Sequence, residues 1–231
     1  MLHLKNNNKF YFYVFSLIFL TTINNVKLGE LIKKKFSVQN IIVKTNIAQI
    51  DNMIFEETKN LIDRNIFFIN KNEILNYLKN LNFLENINVK KKYPSTIIVQ
   101  ADKTILIGLT YIDNKKYFLG ANGNFIPSNR LSNIENLPVI FGKFNASNFL
   151  SLLKNLENQN INHNLITKYN FHKNKRWDIY FEDNILLKLP NNDIDMAIKI
   201  YKKAQKSIKI KPNSVIDLRI PGRLIILNEK K

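Results

Sequence analysis

The chain has 231 residues, which is enough for one large domain or two small ones. Apolar residues make up 45% of it, so it can bury a core and is not a disordered tail. It has no cysteine, which excludes disulfides and cysteine-ligated metals. The net charge of +17 would suit nucleic acid or an anionic membrane. Because lysine and asparagine are abundant throughout and form no basic stripe with interleaved aromatics, we interpret this charge as compositional bias and expect no nucleic-acid partner.

An apolar run near the N-terminus, Phe10 to Ile23, follows a short basic tail. As a helix this run measures about 21 Å, and extending it to Leu28 gives about 28 Å, close to the ~30 Å hydrocarbon core of a bilayer. A cleaved signal peptide, a buried core helix and an uncleaved anchor are the alternatives. The run has no small-residue cleavage site and no polar face, so we favour an anchor over residues 10–28 behind a tail over residues 1–9. Lysines after the run outnumber those before it, but long domains cross a membrane largely regardless of charge, so we expect a cytoplasmic N-terminus.

The next hundred residues predict a small β-α-α-β-β unit. Its elements are a strand over 36–44, a helix over 50–63, a helix over 73–81, and strands over 83–91 and 95–101. Asn70 and Glu73 form a capping-box pattern at the start of the second helix. Pro94 separates the last two strands. We expect the two helices to pack on one face of a three-stranded sheet.

The remainder predicts a larger, mostly antiparallel β domain with two or three helices, which makes the fold class α+β. A hairpin turns at Asp113-Asn114 between strands over 105–110 and 116–119. The later elements are a helix over 146–158, strands over 161–171, 176–181 and 185–189, a helix over 194–208, and strands over 215–220 and 223–227. Pro221-Gly222 is the tight turn between the last two strands.

The residues give no support for catalysis. The histidines are His3, His163 and His172, and the last two lack acidic partners at metal-ligand spacing. No nucleophile elbow, phosphate-binding loop or dinucleotide fingerprint is present, and the chain has only six glycines. We therefore expect no enzymatic activity, no cofactor and no metal.

Six short segments carry a resemblance to a known family. They are Ile66–Asn70, Val89–Val99 around Pro94, Tyr117–Ile126, Leu137–Gly142, Arg176–Asn184 and Ile216–Arg219. In this order and spacing they resemble the FtsQ/DivIB family of bacterial cell-division proteins, over roughly residues 10–228. One departure is Ala101-Asp102-Lys103, which stands where the family usually carries Glu-Arg or Glu-Lys.

The resemblance implies a fold and a location. It implies a POTRA-like (polypeptide-transport-associated) domain over 36–102 and an FtsQ-type β domain over 103–231. It also implies a single-pass protein of the bacterial inner membrane whose C-terminal domains are periplasmic.

The resemblance also implies a role and partners. The role is a non-catalytic scaffold in septum formation that links early and late division proteins. The partners are FtsB and FtsL, bound by the last strands, and further divisome proteins, which could bind helix 70–81 and strand 36–43 of the POTRA-like domain. A POTRA-containing transport or assembly factor and a periplasmic structural, peptidoglycan-binding protein are the alternatives.

The residues themselves favour a partner-binding site at the end of the chain. The run Arg223–Leu227 is continuously apolar, as expected either of an edge strand that a partner covers or of a central strand buried on both faces. Arg219 can bind a partner carboxylate bidentately, or it can pair with an acidic neighbour or stay solvated. Trp177 we interpret as a core residue. The predicted partner-binding residues are Arg219, Ile220, Gly222, Arg223, Leu224, Ile225, Ile226, Leu227 and Arg176.

Overall fold

The computed structural model describes residues 7–22, 26–131 and 136–228. The chain divides into two compact units, Met1–Lys103 and Thr104–Lys231. This division reflects contacts within each unit, and the functional domains predicted over 36–102 and 103–231 stay predictions.

Two helices lie at the start of the first unit, α1 (Asn7–Thr22) and α2 (Val26–Lys35). The large apolar side chains of α1 are exposed from Phe10 to Leu20. In residues 7–22, 26–131 and 136–228, no helix has both the length and the hydropathy that a membrane crossing requires. The predicted anchor over residues 10–28 is therefore not confirmed. Residues 23–25 of that anchor, and residues 1–6 of the predicted tail, lie outside the described residues.

The rest of the first unit has the predicted element order β-α-α-β-β. Its elements are β1 (Asn40–Lys44), α3 (Ala48–Thr58), α4 (Lys71–Leu78), β2 (Leu84–Lys92) and β3 (Thr96–Lys103). A single 3-10 turn follows α3. The sheet order is β1-β3-β2, with β1 parallel and β2 antiparallel to β3. The identification of this unit as POTRA-like stays a prediction.

Helices α3 and α4 pack on one face of this three-stranded sheet. Ile54 of α3 and Ile74 of α4 are fully buried, as are Ile97 and Val99, which alternate with more exposed residues along β3. Each such side chain contributes roughly 1.5–3 kcal/mol when it is removed from water. The period of two in β3 therefore provides the apolar face that the helices cover.

The start of α4 is capped as the sequence predicts. The side chain of Asn70 accepts a hydrogen bond from the backbone N–H of Asn72, at 3.2 Å. Glu73 pairs with Arg64, and the side-chain hydrogen bond from Arg64 lowers the pKa of Glu73, with a further contribution from the backbone of Asn70. The capping box thus joins α4 to the segment that follows α3.

In residues 104–131 and 136–228, the second unit has one nine-stranded sheet and two α-helices. Its strands are β4 (Leu106–Ile112), β5 (Lys115–Gly120), β6 (Phe125–Pro127), β7 (Val139–Phe141), β8 (Ile166–Phe171), β9 (Trp177–Phe181), β10 (Leu186–Lys188), β11 (Ser214–Asp217) and β12 (Ile225–Asn228). Its helices are α5 (Ala146–Asn158) and α6 (Ile194–Ser207). The strand order is β12-β11-β10-β9-β8-β7-β4-β5-β6.

The sheet is mixed. The pairs β4–β7, β7–β8 and β10–β11 are parallel, and the other neighbouring pairs are antiparallel. A parallel pair needs a crossover connection, and α5 and α6 are the crossovers of β7–β8 and β10–β11. Both crossovers start from strands that run in the same direction and move toward β12. Because such crossovers are right-handed, both helices must lie on the same face of the sheet.

That shared face holds the core of the second unit. Ile140, Tyr169, Ile179, Leu187 and Ile216 stand in one lateral row across β7 to β11, and all are buried. They pack in one cluster with the apolar sides of α5 and α6. The other face of the sheet carries the intervening residues. Among the described residues of this unit, the helices therefore cover one side of the sheet.

Trp177 lies within this core, as the sequence predicts for a structural residue. Its ring is 2% exposed, and its centroid lies 4.7 Å from that of Phe171 and 5.6 Å from that of Phe149. Such aromatic pairs add roughly 0.5–1.5 kcal/mol each beyond their buried area. Since Trp177 is the only tryptophan of the chain, its fluorescence reports the folding of the second unit alone.

Several parts of the second unit differ from the sequence prediction. The strand predicted over 161–171 begins only at Ile166, because His163–Leu165 form a 3-10 turn capped by the side chain of Asn162. The strand predicted over 215–220 ends at Asp217. Strands β6 and β7 were not predicted, since three residues each are too few to display a period of two.

Two glycines with positive φ give a direct test of the packing at the end of β7. Gly142 has φ 101°, and a Cβ there would overlap the backbone carbonyl oxygen of Phe171. Gly222 has φ 71°, with nothing within 4 Å of the added Cβ. Gly222→Ala should cost about 1–2 kcal/mol from backbone strain alone. Gly142→Ala should cost roughly 3 kcal/mol or more, because backbone must also move. Urea unfolding followed by Trp177 fluorescence measures both, and equal losses would contradict the close approach of Gly142 to β8.

Candidate partner-binding site

The last strand, β12, lies at one edge of the nine-stranded sheet. Within the part of the chain that the structure describes, it pairs only with β11, antiparallel, with Ile226 opposite Ile216 and Ile225 opposite Asp217. An edge strand presents a row of backbone N–H and C=O groups that another strand can pair with. The geometry that partner binding by strand addition requires is thus present at β12.

The two faces of β12 differ in exposure. Ile226 stands beside the fully buried Ile216 and is half-buried on the helix-covered face. Ile225 and Leu227 point to the opposite face and are 41% and 57% exposed. Burial therefore alternates along β12, although the side chains on both faces are apolar. Two exposed apolar side chains beside an open edge form an apolar surface of the kind that partner proteins bind.

Several predicted site residues lie in the turn before β12 rather than in the strand. Gly222 has positive φ, and the backbone N–H of Arg223 donates to the carbonyl of Ile220 at 3.1 Å, which closes the turn. The strand therefore begins at Ile225, two residues later than predicted. Leu224 packs against the core of the second unit, whereas Ile220 is 49% exposed.

Arg219 forms an ion pair with Asp217. Its Nε lies 2.8 Å from both carboxylate oxygens of Asp217, and its backbone N–H donates to Oδ1 at 3.0 Å. The side-chain hydrogen bond from Arg219 lowers the pKa of Asp217, and the same bond raises the pKa of Arg219. Of the options that the sequence left open for Arg219, the structure has the pair with an acidic neighbour. Its predicted contact with a partner carboxylate stays a prediction.

The Arg219–Asp217 pair belongs to a polar row across the uncovered face of the sheet. Asp178, Lys188 and Asp217 stand in register on β9, β10 and β11, and the row ends at Ile225 on β12. Asp178 is buried, and its Oδ2 lies 2.8 Å from Nε2 of His172. Charge at Asp178 also raises the pKa of Arg219. Sequence reasoning did not assign the residues of this row, although the strand register would have placed them on one face.

The structure does not bring Arg176 to the edge strand. Arg176 directly precedes β9, and its Nε donates to the side chain of Asn174 at 3.1 Å. Since β10 and β11 separate β9 from β12, the two strands lie roughly 14 Å apart. A partner would have to extend across the uncovered face of the sheet to contact both Arg176 and β12.

An apolar groove beside the turn was also missed by sequence reasoning. It lies between the first turns of α6 and the segment that leads to β12. Met196, which is 58% exposed, and Leu218 are among its lining residues, together with Pro221. The amphipathic pattern of α6 predicted a core face but gave no sign that Met196 stays outside the core.

Comparison with known proteins places these features in a family. Residues 109–219 match the family model described as cell division protein FtsQ/DivIB, C-terminal. The cell division protein FtsQ of Rhizobium radiobacter is 22% identical over 151 residues, which cover 64% of this chain and 72% of that protein. FtsQ of Rickettsia bellii is 26% identical over 189 residues, covering 73% and 70%. FtsQ of Bradyrhizobium diazoefficiens is 22% identical over 167 residues, which span only 48% of its length.

A solved structure is also similar. The major extracytoplasmic domain of the bacterial cell division protein DivIB from Geobacillus stearothermophilus aligns with a TM-score of 0.33 and 13% identity. The alignment covers 47% of this chain and 98% of that one.

The fold and the site define an α+β protein of two units, in which the sheet of the second unit ends in the edge strand β12. The family match identifies the kind of α+β protein. Residues 109–219 match the C-terminal domain of the FtsQ/DivIB family of cell division proteins, and the similar FtsQ proteins support the same family for this chain. The matched region ends at Arg219, so residues 220–228, with β12, lie beyond it.

The Arg219–Asp217 pair predicts a pH dependence of stability. Arg219 holds the folded pKa of Asp217 below its ordinary 3.8. The contribution of Asp217 to the free energy of unfolding is therefore complete above pH 3.8 and is lost as the pH falls through the lower folded value. Asp217→Asn should be less stable than the parent near neutral pH, by about 1 kcal/mol, and the gap should close in acid.

Urea unfolding across this pH range, followed by Trp177 fluorescence, measures the gap. In an Arg219→Gln background the gap should be smaller at neutral pH, because the guanidinium that lowers the pKa of Asp217 is absent. A gap that stays constant into strong acid, or one that Arg219→Gln leaves unchanged, would show that the pair does not stabilise the fold.

Proposed function

We propose that this protein is a non-catalytic scaffold of the bacterial divisome that binds FtsB, paired with FtsL, by strand addition to β12 in septum formation. The observation that carries the proposal is the position of β12 at the edge of the sheet with Ile225 and Leu227 exposed beside it. The match of residues 109–219 to the FtsQ/DivIB model and the similar FtsQ proteins support the role in division. The same matches favour this role over a transport or assembly factor and over a peptidoglycan-binding protein.

Strand addition fits the chemistry of the edge. A partner strand would satisfy the backbone groups along β12 and would cover part of Ile225 and Leu227. Covering two half-exposed aliphatic side chains contributes roughly 1–2 kcal/mol. Backbone pairing supplies affinity with little sequence preference, so specificity must come from side chains near the edge.

Arg219 is the side chain that can supply such specificity. A guanidinium has five N–H donors, which is more than its contacts with Asp217 use. Arg219 can therefore bind an acidic residue of the partner and keep Asp217. A lysine would serve less well, because its ammonium is a point charge that lacks the planar, paired donors with which a guanidinium binds a carboxylate bidentately.

The first unit offers a second surface for other division proteins. Strand β1 is an edge of its three-stranded sheet, and Ile42 on it is 41% exposed. Helix α4 packs behind that sheet. The location of the protein in the inner membrane, with both units in the periplasm, is part of the proposal and rests on the predicted anchor.

Replacing the exposed apolar residues of β12 tests the proposed site. Leu227→Glu places a charge where the partner strand would lie, so affinity for the FtsB–FtsL complex should fall at least tenfold, about 1.4 kcal/mol. Because Leu227 is on the uncovered face, the fold should keep its stability. Calorimetric titration of the purified full chain with FtsB–FtsL measures the affinity.

Ile105→Glu is the matched control, since Ile105 is also an exposed aliphatic residue, at 72%, and lies away from β12. It should bind within twofold of the parent. A polar replacement of Ile226 is a poorer test than Leu227→Glu, because Ile226 faces the core and its replacement would also lower the stability of the fold. Unchanged affinity of Leu227→Glu would remove β12 from the proposed interface.

A further inference from the structure

The first unit carries an exposed aromatic surface that the proposed function does not use. It consists of Phe67, Phe68 and Tyr93, which are 54%, 83% and 54% exposed, and of the half-buried Phe36. A fully buried aromatic side chain removes about 150–250 Å² from water, and Phe67, Phe68 and Tyr93 leave about half or more of that area exposed. Exposed apolar area of this extent is typical of an interaction surface.

Three separate segments bring these rings together. Phe36 follows directly on α2, Phe67 and Phe68 lie between α3 and α4, and Tyr93 lies in the turn between β2 and β3. The rings of Phe36 and Phe67 have centroids 5.2 Å apart, and those of Phe67 and Tyr93 are stacked at 5.1 Å. The rings of Phe36, Phe67 and Tyr93 therefore form a continuous ladder, and Phe68 directly follows Phe67 in the sequence.

Lysines adjoin the ladder at both ends. Lys33, Lys34 and Lys35 make up the last turn of α2, immediately before Phe36, and all three are exposed. Lys92 is exposed and immediately precedes Tyr93. The residue that follows α2 is held to another segment of this unit, because the backbone N–H of Ile66 donates to the carbonyl of Phe36, and the hydroxyl of Ser37 donates to the carbonyl of Lys34 in the last turn of α2. The basic turn and the aromatic ladder are thus one surface.

This pairing of side chains matches one kind of environment. Tyrosine is enriched at the level of lipid headgroups, because its ring is apolar and its hydroxyl is polar, and phenylalanine is typical of the apolar side of segments that lie on a membrane. Clustered lysines are attracted to anionic lipids, and their alkyl stems can lie along an apolar surface. We propose that the aromatic surface and the lysines of α2 dock onto an anionic lipid surface, which holds the first unit against a membrane.

The absence of cysteine from the chain allows a site-specific test. Phe68→Cys in the full chain, labelled with a polarity-sensitive fluorophore, is reconstituted with vesicles of phosphatidylcholine alone or of equimolar phosphatidylcholine and phosphatidylglycerol. The emission should shift to the blue with the anionic vesicles and return toward its value in water with neutral ones or at high salt. Replacing Lys33, Lys34 and Lys35 by Gln should remove most of the shift.

Phe55→Cys is the matched control, because Phe55 is an exposed aromatic of the same unit, at 38%, but is followed by Glu56 and Glu57 rather than flanked by lysines. Its label should keep the emission that it has in water. If the label at residue 68 keeps the emission that it has in water when anionic vesicles are present, the proposal is overturned. An equal blue shift with neutral vesicles would also overturn it. A shift without lipid that grows with protein concentration would assign the surface to self-association instead. None of these readings depends on FtsB binding.

Discussion

The handedness of two crossover connections determines which parts of the second unit stay accessible. Because α5 and α6 both connect parallel neighbours in the same direction along the sheet, both must cover the same face. The buried row from Ile140 to Ile216 follows from this, as does the polar row on the opposite face. Within the described residues of the second unit, two helices serve nine strands, so neither helix covers the opposite face of the sheet or the outer flank of β12. The proposed interface depends on this arrangement.

The open strand is joined to the folded unit by short-range contacts. The turn at Gly222 and the packing of Leu224 set the position at which β12 begins. The pair between Asp217 and Arg219 lies at the end of β11, directly across from Ile225. These contacts hold the edge in one register, which matters because a slip of one residue would exchange Ile225 and Ile226 between the faces. A preformed edge loses little conformational entropy when a partner strand adds to it.

Much of this fold could be predicted from the sequence, since its longer elements have clear periods. Helix α5 has the predicted bounds because its apolar residues recur at helical spacing, and the β-α-α-β-β order of the first unit is as expected. Strand β7 was missed because three residues show no period. The start of β12 was placed too early because an apolar run does not reveal where a turn ends. The sequence left three outcomes open for Arg219, and the pair with Asp217 could not be chosen among them without the path of the chain after β11.

The proposed interface requires that a partner strand pair with the open flank of β12. Hydrogen–deuterium exchange of the full chain, with and without the FtsB–FtsL complex, tests this directly, because backbone pairing protects amides whatever the side chains do. Such pairing predicts slower exchange over residues 225–228 in the complex. Exchange of β6, the strand at the opposite edge of the sheet, should be unchanged. A stable complex in which residues 225–228 exchange as fast as in the free protein would contradict it.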